Sequence, residues 1–177
     1  MMLHSKKQQG ITSVEFAIVG SVFFIVLLGV IEVGRLLFTW NALAEATRRG
    51  ARVAAVCPPD HSAIRRIAVF DDVSGTGVSP IIFGLTENNI LVSYLDVNGA
   101  LVGDVTVEAD YLDIAYVRVE IIGTGTNQFQ YQMLIPSLNR TIDAPSFAAT
   151  IPRESLGVPR LDPAGTPVAA GCFGTPT

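Results

Sequence analysis

Glu15 is the single formal charge in the apolar stretch from Ile11 to Ile31. A carboxylate placed a few residues inside hydrocarbon is costly, so such a group normally has a partner or a function. The same stretch holds no cation. Other residues carry chemical potential but lack the arrangement for it. Asp60-His61-Ser62 sets hydrolytic residue types side by side, whereas a catalytic triad needs groups converging from separate segments. His61 reads as a solvent-facing loop residue, and the other histidine, His4, lies in a short basic leader. Gly75-Thr76-Gly77 and Gly123-Thr124-Gly125 lack the Lys-Ser/Thr that follows in a phosphate loop, so both read as turns. Asp96, Asp104, Asp110 and Asp113 would suit calcium only if their loops met. No EF-hand spacing links them, and they read as ordinary solubilising charge. The residues therefore imply no enzyme, no cofactor and no metal.

Cys57 and Cys172 belong to no CxxC or CxxH motif, which removes support for a metal site or a redox pair. Outside the cytoplasm they can close a bridge around nearly the whole downstream region; two free thiols are the alternative. The choice turns on whether the two Cα atoms approach closely enough.

The elements that position these groups start with the apolar stretch. About 20 apolar residues are what a helix needs to cross the hydrocarbon core, where water cannot satisfy backbone groups. The leader at 1–10 holds His4, Lys6 and Lys7 and no acid, which favours keeping this end in the cytoplasm, although Arg35, Arg48, Arg49 and Arg52 lie beyond the span. A secretory signal peptide cut at Ala44-Glu45-Ala46 fits poorly, because that site lies several residues past the apolar run, behind Arg35 and Trp40.

Nothing breaks the helical pattern from Ile11 to Val56, and Pro58-Pro59 ends it. A rod of that length, roughly 70 Å, is about twice the membrane thickness, so its outer half must leave the bilayer. There Glu45 and Arg49 stand at i,i+4, as on a solvated face. Ala42, Ala46, Gly50 and Ala54 recur every fourth residue, and Ala17 and Ser21 repeat the spacing within the span. Small side chains at this interval admit a close neighbour, either the chain's own downstream domain or another subunit.

After Pro59 the period changes. Ile64 to Phe70 is a short helical turn or a strand, and Asp71 to Ser79 is a loop. Ile90 to Leu95 and Leu101 to Val107 flank Asn98-Gly99, the signal of a hairpin. A strand is expected from Ile114 to Ile122, where Ala115, Val117, Val119 and Ile121 alternate with polar neighbours. Phe129 to Ile135 is strand or helix, and its aromatic and aliphatic content marks a buried or membrane-proximal element. Thr141 to Ile151 reads as a last strand interrupted by Pro145, and the tail at 152–177 is rich in Pro, Gly and Ala. The expected class is α+β: a long N-terminal transmembrane helix, with its span at about 11–34, running through 11–56 into a small antiparallel sheet at 57–151. Up to Val56 there are six Lys/Arg against three Asp/Glu, and beyond it six against thirteen, within a net charge of −4. An acidic outer domain argues against a nucleic-acid partner, which would require a basic face.

Gly10-Ile11-Thr12-Ser13-Val14-Glu15-Phe16 resembles the prepilin peptidase site of type IV pilins, in which cleavage follows a Gly and a Glu stands five residues on. Val14-Glu15-Phe16-Ala17, Ile31-Glu32-Val33-Gly34-Arg35 and the stretch from Ala46 to Ala55 are similar to TadE-like proteins, minor pilins or pseudopilins of the tight-adherence (Flp, type IVb) system. Where family members often carry a proline after the first apolar turns, this chain has Gly20-Ser21, so a local bend is an open expectation. The resemblance implies a pilin-like fold and processing between Gly10 and Ile11. The new α-amine of one subunit can then neutralise Glu15 of its neighbour, with Phe16, Ala17 and Ser21 in the packing surface. Implied partners are a prepilin peptidase, other minor pilins, the major Flp pilin and an inner-membrane assembly platform, in a hetero-oligomeric fibre or assembly complex. The implied location is the bacterial inner membrane, single-pass, with the C-terminal domain periplasmic or extracellular. A type II secretion pseudopilin and a single-span anchor subunit with a β binding module are the alternatives.

Overall fold

The computed structural model describes residues 9–123, 128–134, 140–157 and 172. Helix α1 runs from Gln9 to Val56 without interruption, 48 residues or about 70 Å at 1.5 Å per residue. Gly20-Ser21 does not break it; the Ser21 hydroxyl donates back to the Ala17 carbonyl at 2.7 Å. Pro58 lies two residues past its end. The carbonyls that a helix end leaves without intrahelical donors are taken up by the distant chain: Glu154 and Leu156 N–H donate to Ala55 O, and Gly157 N–H to Val56 O at 2.8 Å.

Helix α2, Ser62–Ala68, turns back along the outer half of α1 and resolves the Ile64 to Phe70 ambiguity in favour of helix. After a loop and a single 3₁₀ turn at Glu87–Asn89 comes strand β1, Ile90–Leu95; helix α3 follows at Glu108–Asp113 and strand β2 at Tyr116–Ile121. The last three strands are β3, Gln130–Gln132, β4, Thr141–Asp143, and β5, Ala148–Pro152. An antiparallel sheet orders them β1-β2-β5, and β3-β4 form a separate two-stranded ribbon. The expected arrangement of a long helix with a small antiparallel sheet is the one observed.

Strand β2 follows its alternation: Val117 and Val119 are fully buried and Ile121 nearly so, facing α1. Its neighbours are Ile90–Leu95, with Val92 opposite Val119, and β5, with Ala149 opposite Val119 on the other side. The core lies between this sheet, α2 and the outer part of α1, around Leu43, Ala46, Ala54, Ile64 and Leu85.

Two strand expectations are corrected. The turn at Asn98-Gly99 forms, with Gly99 at φ +81° and Asp96 accepting the Asn98 and Ala100 N–H groups, but the returning arm pairs only through Leu101 opposite Leu95. Gly103-Asp104 then diverts the chain, because Asp104 accepts both the N–H and the hydroxyl of Thr106 and closes a local turn before α3. The partner of β1 is therefore β2. The stretch from Thr141 to Ile151 is likewise two strands in two sheets, divided at 144–147, around the expected break at Pro145.

Candidate functional site

From Thr12 to Ile31 no other element covers α1; its side chains stand exposed, with only Gly20 and Gly29 partly shielded. Such a surface is compatible with lipid or with other subunits, and the helix is long and apolar enough to cross a membrane. Glu15 lies on this bare rod, with Phe16 at 79% exposure, Ala17 and Ser21 alongside. Among the described residues Glu15 has no ion-pair partner. Gly10 and Ile11 lie in the opening turn of the helix backbone.

The outer small-residue stripe has a different fate. Ala46, Gly50 and Ala54 are buried and Ala42 is partly buried, all against the chain's own α2 and sheet. A Cβ built on Gly50 would meet Ala68 Cβ at 2.9 Å and Val119 Cγ1 at 3.1 Å, so helix, helix and strand meet at a point that only a glycine fits without movement. The stripe is thus used within the chain. The expected Glu45–Arg49 pair is also replaced: Glu45 pairs with Arg48 at 3.9 Å, while Arg49 lies over the Phe70 ring at 5.7 Å.

A third feature sits where the apolar run ends. The carboxylate of Glu32, only 6% exposed, accepts the Tyr131 hydroxyl at 2.7 Å and the Leu134 N–H at 3.2 Å. Arg35 stands 3.8 Å from the same carboxylate, lies 5.0 Å over the Tyr131 ring, and donates to the Gln132 carbonyl at 3.2 Å. Burial, and then the Glu32 acceptor, push the Tyr131 phenol up to about 12. Sequence reasoning missed this clasp between α1 and β3. The available signal was a second carboxylate closing the apolar run with an arginine three residues on, and an aromatic segment at 129–131 in need of a surface.

Residues 10–52 match the family model described as TadE-like protein. Over these residues α1 is similar to TadE-like proteins. No curated protein and no solved structure matches the chain. The TadE-like match takes in Glu15, Glu32 and most of the small-residue stripe, while Tyr131, both cysteines and the whole sheet lie beyond it.

Beyond the TadE-like segment, the residues with hydrolytic or metal-binding potential serve the fold. His61 is half-buried rather than solvent-facing: its Nδ1 accepts the Ala63 N–H at 3.2 Å and caps α2. Asp60 pairs with Arg65 at 3.8 Å, and its N–H donates to the Tyr94 hydroxyl, so Asp60, His61 and Ser62 do not form a relay. Asp71 accepts the N–H groups of Gly77 and Asp72, which lower its carboxyl below the usual value and tie the glycine loop into a turn. The Ala100 N–H lowers Asp96 and the Thr106 hydroxyl lowers Asp104 in the same manner. Among the described residues no three acidic, His or Cys side chains group to hold a metal. Cys57 and Cys172 are paired as a disulfide in the structure, with Cα atoms 5.3 Å apart.

Proposed function

We propose that this chain is a minor pilin or pseudopilin of a tight-adherence (Flp, type IVb) pilus, processed between Gly10 and Ile11 and held in the inner membrane before it joins or primes the fibre. The observation that carries the reading is a TadE-like helix whose apolar half is bare and bears one carboxylate without an ion-pair partner among the described residues. A buried carboxylate requires a counter-charge. Processing would supply it as the α-amine of Ile11 on a neighbouring subunit, with Glu15 at the fifth position of the shortened chain.

In this reading the two halves of α1 have separate tasks. Phe16, Ala17 and Ser21 supply the surface that packs first against lipid and then against other pilins. Ala46, Gly50 and Ala54 fix the outer domain to the rod, so that movement of the helix carries the domain with it. The N-terminus is cytoplasmic, the acidic domain lies outside, and the partners are a prepilin peptidase, other minor pilins, the major pilin and the assembly platform. Co-expression with an active prepilin peptidase, followed by N-terminal sequencing, tests the reading: Ile11 is expected as the first residue. Retention of Met1, or a new end near Ala46, would remove the basis for it.

A further inference from the structure

The ribbon β3-β4 is docked away from the main sheet, at the level where α1 stops being uniformly apolar. Glu32 follows directly on the stretch Ile11 to Ile31, and the ribbon is hydrogen-bonded to it through Tyr131 and the Leu134 N–H, and to Arg35 through the Gln132 carbonyl. Because a continuous helix fixes the height of Glu32 relative to the apolar rod, it fixes the height of the ribbon too. Two observations define what surrounds the ribbon there. On the side of α1 turned away from it, Val33 and Leu37 remain 56% and 51% exposed, so the apolar surface continues past Glu32. Of the two charged residues that would interrupt that surface, the ribbon buries Glu32 and engages Arg35, which stays partly exposed. Leu134, beside this clasp, presents an aliphatic side chain that is 64% exposed.

We infer that β3-β4 is a membrane-surface element: it seats Leu134 in the headgroup and acyl boundary of the phospholipid bilayer that α1 crosses, and Glu32 with Arg35 holds it at that depth. The occupant is lipid because Leu134, bonded through its N–H to Glu32, is held exposed at the level where the uncovered apolar surface of α1 from Thr12 to Ile31 ends. A bilayer-crossing helix would carry that surface into the boundary without any other partner. The ribbon would then set the angle at which the outer domain stands on the membrane before assembly, and it would be drawn off the lipid when the helix moves into a fibre. This inference rests on the membrane-span reading of α1 made above.

The chain's two cysteines are joined to each other, so one introduced thiol labels uniquely. Leu134→Cys, Phe24→Cys and Phe83→Cys are labelled separately with an environment-sensitive fluorophore. Each full-length protein is then placed in phosphatidylethanolamine/phosphatidylglycerol vesicles carrying shallow or deep nitroxide lipids. Position 134 is expected to emit to the blue of position 83 and to be quenched about two-fold more by the shallow than by the deep nitroxide, with the reverse preference at position 24. Glu32→Ala in the Leu134→Cys protein is expected to lose that quenching, and in the Phe24→Cys protein to keep it. Water-like emission at 134 with lipid quenching at 24 overturns the inference and leaves the span standing. Blue emission at 134 without quenching by either lipid points to a protein occupant and overturns it as well. Water-like emission at both 134 and 24 overturns the span and the inference together, and unchanged quenching at 134 in Glu32→Ala overturns the positioning role of Glu32.

Discussion

Tyr131 donates its hydroxyl to the Glu32 carboxylate at 2.7 Å across 99 residues of chain, joining a short ribbon to the last turn of the apolar run. The pair is buried at both ends, with Tyr131 4% and Glu32 6% exposed. The bond ties the ribbon to α1 at this level.

Removing the hydroxyl while keeping the ring isolates that bond. Tyr131→Phe is expected to weaken the docking of β3-β4 by about 1.5–3 kcal/mol, the range for a hydrogen bond to a charged group. The ribbon, not the whole domain, should respond. Hydrogen exchange measured by mass spectrometry should speed up in peptides covering 129–134 and 140–144, while β2 stays protected. Equal acceleration in both regions would mean that the ribbon and sheet open as one unit.

Two phenols should ionise late. Burial pushes Tyr94, near the end of β1, up to about 12 from its ordinary 10.0, partly offset by the Asp60 N–H that its oxygen accepts. Tyr131 is also raised to about 12. Ionisation is then easier in the unfolded chain, so the stabilisation is fully present below pH 10 and is lost as pH rises toward about 12. Phenolate absorbance in a detergent-solubilised sample should show these two groups only near the top of that window. Tyr131→Phe should remove one of them.

Sequence pattern revealed what neighbouring residues decide. The helix from Ile11 to its stop before Pro58-Pro59, and the buried face of Val117, Val119 and Ile121, follow from periodicities of 3.6 and 2 that need no knowledge of the rest of the chain. The errors lie where a distant or local competitor won. Gly103-Asp104 stopped the arm opposite β1 because an Asp-centred turn offered its backbone a different partner. Arg49 left Glu45 for the face of Phe70, a ring 21 positions on. His61 passed for a loop residue because a cap is defined by the helix it starts, and the pattern left Ile64 to Phe70 open between helix and strand. Glu32 went unread because its partner comes from a strand three residues long, too short for any alternation to announce.

Gly50 should tolerate a side chain poorly. In a helix interior Ala or Leu is normally favoured over Gly by about 1 kcal/mol. Here Ala68 Cβ and Val119 Cγ1 stand 2.9 and 3.1 Å from where a Cβ would be. Gly50→Leu is expected to lower stability by about 1–3 kcal/mol through overpacking, read as a lower Tm. Gly29, which has nothing within 4 Å of an added Cβ, serves as the contrast: Gly29→Ala should leave the Tm unchanged or raise it. A neutral Gly50→Leu would show that α1 and the sheet can separate without cost.

The Cys57–Cys172 bridge closes 115 residues of sequence separation. A bond of that span mainly restrains the unfolded chain, and removing it typically costs about 2–5 kcal/mol. The double variant Cys57→Ser/Cys172→Ser should therefore melt lower than the oxidised protein. It should still fold, because Glu154, Leu156 and Gly157 keep their backbone bonds to the end of α1. Calorimetry or far-ultraviolet dichroism of both forms gives the difference, and an unchanged Tm would mean that the bridge restrains nothing the fold does not already hold.

Under the proposed function, substitution of Glu15 separates processing from assembly. Proposed cleavage after Gly10 falls at a peptide bond five residues from Glu15, so Glu15→Gln should still yield a chain starting at Ile11. The amide then carries no charge to offset a neighbour's α-amine, and stranding one member of a buried ion pair costs about 3–5 kcal/mol. Processed Glu15→Gln is expected to stay in the membrane fraction and to be nearly missing from sheared fibres, with Glu15→Asp intermediate because its shorter arm keeps the charge but lengthens the contact. Quantifying processed protein in both fractions reads the two steps separately. Normal incorporation of Glu15→Gln would mean that the carboxylate is tolerated on the bare helix for another reason, and the counter-ion argument for assembly would fall with it.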